Sequence, residues 1–159
     1  MLAWAKRFGP ARCKITRVPD DWRPTGATED AAAEDLLAWL SNAGFVVASE
    51  KYSERNFGNR SVELVKGKVQ ARVVRERGQW WLEVGRADGE DDLFDPALWL
   101  SFQRRGPDVT EPNTIAADTE ALKTLLPEIE AAVANNAVDW QRLRRLRAER
   151  SARRLGFQG

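Results

Sequence analysis

FGNRSVELVKGKVQARVVRERGQWWLEVG, residues Phe57–Gly85, is followed after an acidic loop by LFDPALWLSF, residues Leu93–Phe102, and this stretch decides the fold. Ser61–Val65 places Val62 and Leu64 on one face. After Gly67, Lys68–Arg77 alternates, with Val69, Ala71 and Val73 inward against Gln70, Arg72 and Glu76. Gly78 supplies the positive φ that a tight turn requires. Gln79–Gly85 then returns, with Trp80, Leu82 and Val84 on one face and Trp81 and Glu83 on the other. A period of two residues is that of half-buried strands. Connections this short join antiparallel neighbours, because parallel pairing needs a crossover of about a dozen residues.

Working outward, Phe45–Tyr52 is rich in β-branched and aromatic residues and predicts a further strand, with a turn at Asn56, Gly58 and Asn59. Upstream, a helix begins near Thr28, whose hydroxyl suits a cap, and Glu29 and Asp30 suit the positive end of the helix dipole. Its apolar face is Ala33, Leu36, Leu37 and Leu40, and Gly44 ends it. Downstream, Asp95-Pro96 reads as a helix entry with Pro96 at the first helical position. Thr119–Ala134 carries Leu122, Leu125, Leu126, Ile129 and Val133 at helical spacing, and Pro127 either kinks it or divides it in two. Val138–Leu155 is the last helix, with Trp140, Leu143 and Leu146 toward the body. Residues 1–27 contain Pro10, Pro19 and Pro24 and read as an irregular arm with a short strand at Cys13–Val18. Its Trp4, Phe8 and Trp22 predict that it folds back on the domain. The expected architecture is a single α+β domain over residues 1–159, an antiparallel four- to five-stranded meander with helices packed on one face.

Composition narrows the function. The chain has no histidine and a formal net charge of +1. No triad with a histidine base can be built, and no global field draws the protein to nucleic acid or membrane. The single cysteine, Cys13, forms no internal disulfide and is too few for a zinc site. No phosphate-cradling glycine motif is present, no cofactor is implied, and no run of about 18 apolar residues spans a membrane. The N-terminus lacks the apolar core of a secretory signal, so a cytoplasmic location is expected.

The charge is arranged in blocks: −5 over residues 87–100 and +6 over residues 141–159. Asp88, Glu90, Asp91, Asp92 and Asp95 read in two ways. They are a solvated loop that balances nearby arginines, or a phosphate-like surface that steers into the basic cleft of a nucleic-acid-cleaving partner. A metal or two-carboxylate hydrolase site needs fixed separations that a run of loop acids does not supply, so no enzyme is expected. Arg142, Arg144, Arg145, Arg147, Arg150, Arg153 and Arg154 face a single Glu149 on the final helix. They are either structural charge pairs or phosphate contacts whose affinity falls with salt. Of the seven tryptophans, Trp39, Trp80, Trp99 and Trp140 fall at core positions, whereas Trp81, on the opposite face from Trp80, suits equally an interface or a place beneath the N-terminal arm.

The Phe57-Gly58-Asn59 turn, the hairpin Arg72–Trp80 and the Phe94-Asp95 segment before a helix together resemble immunity and immunity-like proteins of bacterial polymorphic toxin systems. The resemblance covers about 45 of the 159 residues, from 57 to 102. It implies a cytoplasmic α+β protein that binds and neutralises a cognate toxin domain by occlusion, with no catalytic residues to carry over. The expected contact region is Asp88–Asp92 with Asp95 and Trp81. The alternative expectation is nucleic-acid binding through the arginine helix.

Overall fold

A computed structural model describes residues 25–56, 58–89, 91–104 and 114–156. Of the arm expected at 1–27, residues 25–27 belong to the first helix, whereas residues 1–24, with the expected strand at Cys13–Val18, lie outside the described residues, as do the Gln103–Asn113 connection beyond residue 104 and Glu90 of the acidic loop. The fold is α+β. Helix α1 (Thr25–Asn42) leads into five strands, β1 (Val46–Ser53), β2 (Asn59–Lys66), β3 (Val69–Glu76), β4 (Gln79–Arg86) and β5 (Leu93–Phe94). Three helices follow, α2 (Pro96–Arg104), α3 (Ile115–Ala134) and α4 (Trp140–Arg154). The sheet is a five-stranded antiparallel meander in the order β1-β2-β3-β4-β5.

The alternation read from the sequence is the alternation observed. Val62, Leu64, Val69, Ala71, Val73, Leu82, Val84 and Trp80 are all buried. They share one face, against which α1 (through Ala33, Leu36 and Leu40) and α3 (through Leu122, Leu125, Leu126, Ile129 and Val133) close the core. Burying each such Leu, Ile or Val side chain contributes about 1.5–3 kcal/mol. The β3–β4 turn has both central residues at positive φ, Arg77 at 52° and Gly78 at 81°. That is the backbone of a two-residue hairpin loop matched to strand twist. Arg77 is a non-glycine residue in this region, and its N–H donates to Asn59 Oδ1 at 3.0 Å, which fixes the turn.

The cap of α1 moves, Pro127 does not divide its helix, and β1 adds a finding of its own. Helix α1 starts at Thr25, one turn before Thr28, so Thr28 is an interior residue and not the cap. Helix α3 is one unbroken helix through Pro127. Pro127 is exposed, so the carbonyl it leaves unbonded one turn earlier meets water instead of the core. Strand β1 forms as expected, but its apolar composition does not mean burial: Val46, Val47 and Tyr52 are exposed along this edge strand. The other helix boundaries follow their capping chemistry. Asp95 Oδ1 accepts from Leu98 N at 3.0 Å ahead of Pro96, Thr114 accepts from Ala117 N, and Asp139 accepts from Arg142 N. No helix among the described residues is long and apolar enough to cross a membrane.

Candidate functional site

The acidic loop and the arginine helix, two separate features in the sequence, meet in the structure. Asp92 is fully buried. Its Oδ1 accepts from Arg144 Nε at 2.9 Å and lies 2.6 Å from Arg144 Nη2. Arg86 Nη2 stands 2.8 Å from Asp92 Oδ2 in a charge contact without hydrogen-bond alignment. Asp95 pairs through both oxygens with Arg150, with Arg150 Nη1 3.0 Å from Oδ1. Arg147 donates to the backbone carbonyls of Leu93 and Asp91.

The same helix packs on an aromatic cluster of Phe94, Trp99, Phe102 and Trp140, whose ring centroids lie 6.0–6.5 Å apart. Arg142 lies over Phe102, Arg147 over Phe94 and Arg86 over Trp140, at 4.9, 4.8 and 5.4 Å. These are cation–π distances. Trp99 anchors the cluster to the sheet by donating its indole N–H to the Val84 carbonyl at 2.9 Å. The loop also demands glycine. A Cβ on Gly85 would lie 1.6 Å from the Asp92 carbonyl oxygen, and one on Gly89 would lie 2.7 Å from Arg86 Nε.

The expected site residues therefore separate. Asp92 and Asp95, with Arg144, Arg147 and Arg150, clasp the β4–β5 loop to α4. Arg142 serves the aromatic cluster. Asp88 and Asp91 remain exposed, Asp88 with only a long contact of 3.4 Å to Arg86. Arg145, Arg153 and Arg154 are exposed and make no ion pair among the described residues. Trp81 stands 36% exposed on the sheet face opposite the helices.

Among the described residues, no helix packs on that second face. Cross-strand register sets its side chains in rows. Lys51, Ser61, Val74 and Trp81 form one; Ser49, Glu63, Arg72 and Glu83 form the next; Val65, Gln70, Gly85 and Leu93 form a third. Arg72 Nε and Nη2 both donate to Glu83 Oε2, at 2.8 and 2.6 Å. Below this pair lies a cavity of about 320 Å³ bordered by Glu63, Gln70, Arg72, Ala87, Asp88 and Leu93. Sequence reasoning placed Trp81 and Asp88 here but missed Glu63, Gln70 and Arg72. Their outward positions in the period-two pattern were the available signal.

At the other edge, Arg60 bridges Glu34 of α1 and Glu50 of β1. Burial alone lowers its pKa, but hydrogen bonds and charge from the two glutamates outweigh that, and the guanidinium is held above its ordinary value. No group of three or more metal-ligating side chains comes together among the described residues.

Comparison of the chain with protein-family models, with curated proteins and with solved structures returns no match.

Proposed function

We propose that this protein is an immunity-type inhibitor, which binds a cognate toxin domain on the open face of its sheet and neutralises it by occlusion. One observation carries the reading. The segment that resembles immunity proteins, residues 57–102, supplies strands β2 to β5, and the sheet face on which no described helix packs presents the half-exposed Trp81 beside Val74, next to a charged row. A large aromatic anchor among ordered polar neighbours is the composition of a protein-binding surface. Occlusion needs complementarity and no reacting group, which agrees with a chain lacking histidine. The contact region moves accordingly from the whole acidic loop to Trp81, the Glu63–Arg72–Glu83 row and Asp88. Asp92 and Asp95 support the reading only indirectly, by holding the loop that carries Asp88.

The test is affinity capture of the tagged protein from its native lysate, at low and moderate salt and after nuclease treatment. Reconstitution of the purified pair and co-expression protection against the captured protein follow. A stoichiometric protein partner whose toxicity is suppressed supports the proposal. Recovery of nucleic acid alone, released by salt, sinks it and directs attention to Arg145, Arg153 and Arg154.

A further inference from the structure

We infer that the open sheet face receives a basic side chain, an arginine or lysine on an extended segment of the partner protein, in the cavity between Glu63 and Asp88. This rests on the reading above that the partner is a protein.

Arg72 stands directly across from Glu63 on β2 and from Glu83 on β4. Side chains so opposed have Cβ atoms about 5 Å apart, within reach of one another. Yet Arg72 commits both hydrogen bonds to Glu83. Glu63 has no ion pair among the described residues. The row thus holds two carboxylates and one guanidinium, and its uncompensated charge sits on the cavity side. Asp88, 84% exposed at its side chain and in a long contact of 3.4 Å with Arg86, supplies a second carboxylate to the same lining. Gln70 and Arg72 border the same space.

An anion entering this cavity meets Glu63 and Asp88 and is repelled, whereas a cation completes the alternation of charges. Among the described residues no group of three or more metal-ligating side chains comes together, and the two carboxylates suit an organic cation. A guanidinium suits the space best, because its planar fork of donors engages a carboxylate through two bonds. The occupant belongs to a protein because the adjoining row offers Val74 and Trp81 as an apolar anchor, one strand-step away from the charged one. A partner that seats an apolar residue against Trp81 and an arginine two positions along an extended segment would match both rows, since alternate strand residues share a face.

The experiment is a ¹⁵N NMR titration of the full chain with acetyl-Gly-Arg-Gly-Arg-Gly-amide, and with the same peptide carrying glutamate in place of arginine. The expected result is saturable shifts at the Glu63, Gln70 and Arg72 amides with the arginine peptide only. Glu63→Gln should weaken binding about tenfold, the loss of one charge-assisted contact, with its urea midpoint unchanged. No shifts at these amides, equal response to both peptides, or an unchanged Kd in Glu63→Gln each overturns the inference. Shifts of the same amides that grow with protein concentration and need no peptide assign the face to a second copy and overturn it as well. The titration requires no toxin, so a failure here leaves the inhibitor reading to be judged by its own complex.

Discussion

Removing the carboxylate of Asp92 is the sharpest test of how the acidic loop is held. Asp92 is fully buried between Arg86 and Arg144, whose side chains are 37% and 46% exposed. Deleting one member of a wholly buried ion pair costs about 3–5 kcal/mol, because the survivor is left charged and dry. Here both arginines reach solvent and recover part of their hydration. The loss is then nearer that of hydrogen bonds to charged groups, so Asp92→Ala should cost about 2–3 kcal/mol. For a chain of this size that lowers Tm by about 5–10 °C. Urea unfolding with an unchanged slope provides the free energy. The deficit should persist in about 1 M salt, since counter-ions that screen surface pairs cannot reach a buried carboxylate. A double-mutant cycle with Arg144→Ala should show coupling of about 1 kcal/mol or more. A cost under about 0.5 kcal/mol, the range of an ordinary surface substitution, or additive behaviour with Arg144→Ala, would refute the clasp.

Four further outcomes follow from the same geometry. Gly85→Ala forces a methyl onto the Asp92 carbonyl 1.6 Å away, and the overpacking should cost about 3 kcal/mol or prevent folding, as circular dichroism and solubility will show. Pro127→Ala restores a helical N–H at an exposed position of α3 and should raise stability by about 1–3 kcal/mol; an unchanged or lower urea midpoint contradicts this account of the proline. Trp81→Ser should shift the unfolding free energy by less than about 1 kcal/mol while, on the proposed inhibitor reading, weakening binding of the captured partner at least about tenfold, measured by calorimetry on the purified pair. Replacing Arg145, Arg153 and Arg154 together with serine should change stability by no more than about 0.5 kcal/mol, whereas Arg150→Ser, which breaks the Asp95 pair, should cost about 1–3 kcal/mol.

Much of the fold was legible because it is written in local periods. Val69, Ala71 and Val73 against Gln70 and Arg72, and Leu122, Leu125, Leu126 and Ile129 at helical spacing, identify their elements without any distant partner. Pro96 and Gly78 mark a helix start and a hairpin turn by their own backbone limits. The exposed apolar residues of β1 were harder. Val46, Val47 and Tyr52 carry the composition of a buried strand, and only the sheet order reveals that among the described residues this strand is an edge. The clasp was partly legible. Asp92 and Asp95 are spaced by three, and so are Arg144, Arg147 and Arg150 along one side of α4. That complementarity, read as such, joins the acidic loop to the final helix.

By itself the sequence determined the element types, the antiparallel meander, the inward and outward sides of β2, β3 and β4 and the lack of histidine-based chemistry. These depend on side-chain period, turn residues and composition, which act over a few positions. The tertiary structure alone decided which charges are spent and which remain. Asp92 and Arg144 are 52 residues apart, and whether two such groups cancel depends on how a loop and a helix dock around an aromatic cluster. It likewise decided that Arg72 turns to Glu83 and leaves Glu63 without an ion pair among the described residues, because register sets both carboxylates beside one guanidinium and only geometry chooses between them.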